Sequence, residues 1–175
     1  MNKFAALAAL AMLTTPAIAQ AAKPDVRPAT AQAAARYALP HLLSGLRATC
    51  GPKLAPSGYL ARNGESLQAR FAQGADAAWP AARVALMQFG SQDKSGMAKM
   101  MDQMPDSALK PFVDATISAM VATKLKVENC ADVERGLELL APLPPENIAG
   151  LVGFFVEMAE REDKAKAKTR ARSGG

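Results

Sequence analysis

The chain has 175 residues, of which 50% are hydrophobic and 21% charged, and its formal net charge is +5. Six positive charges lie near the chain ends, on Lys3, Lys164, Lys166, Lys168, Arg170 and Arg172. Without these six, the segment 20–163 carries a charge near −1, so the basicity does not belong to a binding face of the folded part. This distribution argues against a nucleic-acid partner.

The first 19 residues have the pattern of a secretory signal peptide. Lys3 supplies the positive start, residues 4–13 the apolar run, and Ala17-Ile18-Ala19 the small-x-small cleavage pattern. We therefore expect cleavage between Ala19 and Gln20 and a periplasmic or secreted mature chain. No later apolar run reaches the ~20 residues that span a bilayer, so we expect no transmembrane anchor in the mature chain.

Apolar residues recur at helical spacing through most of the remaining chain, and no window alternates with the period of a strand. A disordered leader is expected over 20–29, followed by one helical domain over 30–163. Thr30 is the predicted N-cap of the first helix, and Pro40 is expected to kink or split that helix. After a loop, the next helix is expected over 65–73. The predicted fold is an all-α, single-domain helical bundle of about five to seven helices, held by one disulfide.

The apolar run 148–156 is the expected centre of the bundle. Pro145 suits the first turn of a helix, and the nine residues that follow from 148 have no polar side chain. A helix that is apolar all round must be covered on every side, and this run is too short to cross a bilayer. We therefore predict a buried central helix in which Gly150 and Gly153 let a neighbour approach. On this hypothesis Val152→Asp would cost several kcal/mol.

The end of the chain is predicted to be a basic flexible tail over 164–175. Glu160–Lys164 and Glu162–Lys166 are i,i+4 pairs, which favour an extension of the preceding helix by a turn or two. Such a tail would make weak, salt-sensitive contacts with anionic surfaces of the cell envelope.

Cys50 and Cys130 are the two cysteines of the chain, and both lie on apolar helical stripes. Because an exported chain matures where thiols oxidise, we predict a structural disulfide between them. A redox-active pair would place the two cysteines close together in the sequence, and these are not.

Four methionines, Met97, Met100, Met101 and Met104, stand at i, i+3, i+4 and i+7. Thioether sulfur is a soft ligand that suits Cu(I), so one helix face could present a copper site. The same spacing is also that of the apolar stripe of an amphipathic helix, in which methionine fills irregular gaps of the core.

Glu65-Ser66, followed by Ala85-Leu86-Met87-Gln88, resembles the pattern of the lytic transglycosylases, in which a Glu-Ser pair supplies the catalytic acid. The resemblance covers two fragments. It implies glycan hydrolysis with Glu65 as the acid. Ala85 stands where that family has glycine, and the family's downstream tyrosine has no counterpart, since both tyrosines precede Glu65.

No phosphate-binding loop, haem-attachment motif, zinc motif or nucleophile elbow occurs in the sequence. The single histidine, His41, has no candidate nucleophile or carboxylate at a helpful spacing, so we expect it at the helix surface or partly buried and not as a catalyst. The sequence therefore predicts an exported, non-enzymatic binding or interaction module of the cell envelope, with no cofactor. Copper handling by the methionines and cell-wall hydrolysis by Glu65 are the alternative hypotheses.

Overall fold

The computed structural model describes residues 27–90 and 97–173. These residues form seven α-helices and contain no strand, which confirms the predicted all-α bundle. The predicted signal peptide and most of the predicted leader lie outside the described residues. The helices are α1 (Pro28–Cys50), α2 (Tyr59–Ala72), α3 (Trp79–Gly90), α4 (Met97–Asp102), α5 (Asp106–Lys124), α6 (Cys130–Leu140) and α7 (Pro145–Ser173).

The organising element of the bundle is α1, which packs against α2, α3, α5 and α7. Its side chains enter two separate core clusters. The first cluster joins Leu43, Leu46 and Cys50 to α2, α6 and the start of α7. The second joins Tyr37 to Trp79 of α3, Met101 of α4, and Leu109 and Val113 of α5. The core therefore surrounds the first helix of the described chain and not the last.

Helices α1 and α5 approach each other closely at Gly45. A Cβ atom at this position would lie 2.5 Å from the backbone oxygen of Ser118 and 2.9 Å from Cβ of Val121. Such distances are shorter than any ordinary contact between these atoms, so the spacing of α1 and α5 requires glycine at this position.

Arg36 of α1, which is almost fully buried, ties three elements together. Its Nη1 donates a hydrogen bond to the carbonyl of Phe71 at 2.8 Å, and its Nη2 donates to the carbonyl of Gln73, so it caps the C-terminal end of α2. Its Nε lies 3.1 Å from Oε1 of Glu146, in the first turn of α7. The backbone amide of Glu146 donates a hydrogen bond to the Glu146 carboxylate. This bond, together with the pair with Arg36, holds the pKa of Glu146 below its ordinary value.

The predicted disulfide is confirmed. Cys50 ends α1, Cys130 begins α6, and their Cα atoms lie 5.5 Å apart. Both residues are buried in the first core cluster. The bond therefore links the end of α1, the central helix of the bundle, to the start of α6.

Two predicted helix starts are wrong. The N-cap of α1 is Arg27 rather than Thr30, because Pro28 occupies the first turn, where a missing N–H costs nothing. Of the two outcomes expected at Pro40, a kink or a split, the split does not occur, because α1 is one helix from Pro28 to Cys50. The second helix begins at Tyr59 rather than 65, since Oε1 of Glu134 on α6 accepts the Leu60 amide at 2.7 Å and stabilises the first turn.

The prediction of a central helix at 148–156 is also wrong. Ile148, Ala149 and Gly153 are buried against the bundle, but Val152 is 41% exposed, and other large apolar side chains of the run are exposed as well. Gly153 does allow the close approach predicted for it, since a Cβ there would lie 3.0 Å from the Pro28 carbonyl oxygen. Because Val152 is already in contact with water, a charge at this position should cost far less than several kcal/mol.

The predicted flexible tail is helical in the structure. Helix α7 continues to Ser173, about three turns past residue 163 and so beyond the turn or two that is expected. Lys164 lies 3.7 Å from Glu160, and Lys166 lies 3.4 Å from Glu162, so both predicted pairs form on its surface. Such pairs, in a segment rich in alanine and lysine, favour the helix.

Candidate functional site

The exposed side of α7 carries a row of large apolar residues. Leu151, Phe154, Phe155 and Met158, which we call the α7 stripe, stand at i, i+3, i+4 and i+7 and therefore share one helix face. Their exposed fractions are 42%, 51%, 62% and 42%. Ala149 and Gly153, which are buried at the contact with α1, lie on the other side of the helix. Helix α7 thus has two apolar sides, and the bundle covers only one of them.

The face that bears the α7 stripe becomes basic towards the C-terminal end. The same helical spacing places Arg161, Glu162, Ala165, Lys168 and Arg172 on it beyond Met158. From Lys164 to the end of α7 there are five basic residues and no acidic one. The exposed apolar row is therefore followed, beyond Glu162, by a cationic row.

Acidic residues lie between these two parts of α7, and ion pairs engage three of them. Glu157 pairs with Arg161, Glu160 with Lys164, and Glu162 with Lys166. Asp163 also makes an interaction. The acidic band is therefore compensated within the helix, whereas the distal segment keeps an excess of positive charge.

The described ranges, 27–90 and 97–173, contain no single membrane-spanning helix by length and hydrophobicity. The segments Val127–Leu140 and Pro145–Arg170 meet both criteria only as a pair, bent by 110°.

His41 has a carboxylate partner that its sequence neighbourhood does not reveal. Its Nε2 lies 3.2 Å from Oδ1 of Asp114 on α5, and the hydroxyl of Tyr37 donates a hydrogen bond to the same oxygen at 2.5 Å. The Tyr37 ring packs between the rings of His41 and Trp79, with centroid distances of 5.1 and 4.9 Å. No sequence signal links these residues, because α1 and α5 meet only in the fold.

This cluster has the parts of an acid–base pair, but the Ser118 hydroxyl beside it does not bond to the imidazole. The nearby hydroxyl of Ser118 donates to the backbone oxygen of His41 at 3.0 Å, and not to its ring. Burial, followed by the hydrogen bond to Asp114, raises the pKa of Tyr37 well above its ordinary value of 10.0 and keeps the phenol neutral. The arrangement fits a polar contact that fixes α1 against α5.

The raised pKa of Tyr37 predicts a loss of stability at alkaline pH. The neutral phenol stabilises the fold fully below the unfolded pKa near 10, and this contribution is lost as the pH rises above it towards the folded value. In a Tyr59→Phe variant, which leaves Tyr37 as the one tyrosine, we expect no phenolate absorbance near pH 10 in the folded protein. In denaturant the same variant should titrate near pH 10. Equal titration in both states would contradict the structure.

The predicted copper face is divided between the core and the surface. Met101 is buried and Met104 half-buried in the second core cluster, whereas Met100 is 62% exposed. The side chain of Met97 lies outside the described part of the structure. Within the described ranges, no group of three or more His, Cys, Asp or Glu residues is placed to hold a metal ion. Copper binding by Met97, Met100, Met101 and Met104 stays a prediction.

The hydrolase hypothesis depends on Glu65, which is exposed on α2. A carboxylic acid that protonates a glycosidic oxygen works in a shielded pocket beside its substrate. Ala85, in the second fragment of the resemblance, is buried on α3. Catalysis by Glu65 stays a prediction without a further observation in its favour.

Two apolar hollows flank α1. One, of about 420 Å³, lies between α1, α2, α5 and α6 and is lined by Leu and Val side chains, with Phe71 and Lys124. The other, of about 350 Å³, lies between α1, α3, α4 and α5 beside Trp79 and Met101. Both volumes are in the range of small-molecule pockets, but neither hollow brings together several polar groups that would orient a ligand.

Compared with known proteins, the chain matches no family model, no curated protein and no solved structure.

Proposed function

We propose that the chain is an exported, non-enzymatic interaction module of the cell envelope and that the α7 stripe is its docking surface. The observation that carries the proposal is the exposure of four large apolar side chains on one face of a helix whose other side is packed on the bundle. Soluble proteins rarely leave such a contiguous apolar surface uncovered unless it meets a partner or a membrane.

Three further features support export and an interaction role. The first 19 residues have the order of charge, apolar run and Ala-x-Ala pattern of a signal peptide. The Cys50–Cys130 bond suits an oxidising compartment. The one histidine is engaged with Asp114 and Tyr37 in a contact between helices. The proposed localisation is therefore the periplasm or the exterior, after cleavage before Gln20.

Two matched double variants test this function in the native host. Leu151→Asn with Phe155→Asn removes half of the α7 stripe without adding charge. Phe112→Asn with Met120→Asn removes two comparably exposed apolar residues of α5 and serves as the control. Each pair should change the free energy of unfolding by less than about 1 kcal/mol, since the replaced side chains are already in contact with water.

We expect the parent protein and the α5 control to sediment with the envelope fraction, with Gln20 as their N-terminal residue. The α7 variant should be processed in the same way but move to the soluble fraction outside the cytoplasm. An intact Met1 on cytoplasmic protein would contradict export. Undiminished sedimentation of the α7 variant would contradict docking through the stripe.

A further inference from the structure

The chemistry of α7 identifies the kind of surface that would cover it. A partner of this helix must accept an apolar row and, beyond it on the same face, a cationic row. We propose, on the basis of the function proposed above, that this partner is the anionic surface of a lipid bilayer. On this proposal α7 lies in the plane of the membrane, with its apolar stripe at the level where headgroups meet acyl chains.

The position of the stripe permits this orientation. The α7 stripe faces away from α1, so the bundle does not stand between it and a flat surface. Its two phenylalanine rings are neighbours, with centroids 5.9 Å apart. Leucine and phenylalanine on one face of a helix, with lysine and arginine beside them, are typical of helices that bind in the membrane interface.

The charges of α7 favour an anionic surface over a neutral one. Arg161, which pairs with Glu157, lies with Lys168 and Arg172 on the Phe154 side of the stripe, and the distal segment holds no acidic residue. Glu162, which also lies towards this face, is 3.4 Å from Nζ of Lys166. Each basic side chain near an anionic surface strengthens binding by roughly fivefold.

A second copy of the chain fits this surface less well. Two parallel α7 helices would bring their cationic ends together. In an antiparallel pair, each cationic end would face the N-terminal half of its partner, where Glu146 and Glu157 are the acidic residues. Glu146 already contacts Arg36, and Glu157 already contacts Arg161. A bilayer that contains anionic lipid complements both the apolar and the basic part.

Vesicle sedimentation with the purified mature chain, which begins at Gln20, tests the proposal. Vesicles of phosphatidylcholine alone are compared with vesicles in which about a third of the lipid is phosphatidylglycerol. We expect binding to the anionic vesicles and at least tenfold weaker binding to the neutral ones. Raising the ionic strength from about 0.1 M to about 1 M, which shortens the Debye length from about 10 Å to about 3 Å, should weaken the anionic binding.

Substitutions in the apolar part and in the basic part of α7 test the contribution of each part to vesicle binding. Leu151→Asn with Phe155→Asn should weaken anionic binding by about thirtyfold, because two apolar side chains no longer enter the interface. Lys168→Gln with Arg172→Gln should weaken it by a similar factor. Two controls should bind like the parent: the α5 pair Phe112→Asn with Met120→Asn, and Lys53→Gln with Lys126→Gln, which removes two exposed charges elsewhere.

Three results would overturn the proposal. They are equal binding of the α7 and α5 variants, equal binding to both kinds of vesicle, and a stable dimer in solution that the α7 variant converts to monomer. If the protein binds neither kind of vesicle but the α7 variant still fails to sediment with envelopes, the proposed function is retained, the lipid proposal is wrong, and the partner is a protein. If vesicle binding is found but the chain is not exported, the lipid surface stands and the proposed function fails.

Discussion

Replacing both Cys50 and Cys130 with alanine is expected to lower the free energy of unfolding by about 4 kcal/mol. The two residues are 80 positions apart, so the bond restricts a long loop of the unfolded chain. It also holds the start of α6 beside the end of α1, in the same core cluster as Leu46 and Phe71. An effect of this size is comparable to a large part of the stability of a domain of this length.

Urea unfolding of the oxidised parent, the reduced parent and the double alanine variant measures this effect. Reduction should destabilise the parent to near the level of the variant and leave the variant itself unchanged. If the oxidised parent and the double variant unfold at the same urea concentration, the bond is either absent or without effect on stability.

Gly45→Ala is expected to lower the free energy of unfolding by about 3 kcal/mol. The added Cβ would meet the backbone oxygen of Ser118 at 2.5 Å and Cβ of Val121 at 2.9 Å. Neither atom is the end of a flexible side chain, so α1 and α5 would have to separate. Because the Tyr37–Asp114 hydrogen bond joins the same two helices, that contact should weaken too.

Gly136→Ala is the matched control for this substitution. Gly136 lies within α6, and a Cβ there would have no atom within 4 Å. Alanine should therefore stabilise the protein by up to about 1 kcal/mol, because it favours the helix. Thermal or urea melts compare the two variants directly. A Gly45→Ala protein as stable as Gly136→Ala would contradict the packing of α1 on α5.

The sequence was sufficient for the fold class, the disulfide and most helices, since each follows from local periodicity or from cysteine chemistry. It was not sufficient for the arrangement of the helices. The apolar run 148–156 is expected at the centre because its hydrophobicity predicts burial. Hydrophobicity does not show whether the bundle or an external partner buries the run. Helix α1, with Arg36, Pro40 and His41 in its sequence, is the true centre, since long-range partners satisfy its polar groups.

The candidate site was only partly visible in the sequence for the same reason. The spacing of the α7 stripe is that of any amphipathic helix, and only the position of α1 shows which side is exposed. The basic residues after 163 were expected in a flexible tail, which has no face. Their placement on a continuous helix puts Lys168 and Arg172 on the side of Phe154. Asp114 could not be assigned to His41, because it belongs to another helix.

The most direct test of the central claim is the local environment of position 155 when the protein meets a bilayer. Phe155→Trp places a fluorescent side chain in the stripe, and Phe112→Trp places one at a comparably exposed site on α5. With anionic vesicles that carry a quencher in their acyl chains, the account predicts blue-shifted and quenched emission for Phe155→Trp alone. Unchanged emission of Phe155→Trp, or equal quenching of both variants, would contradict the account of α7 as a membrane-docking helix.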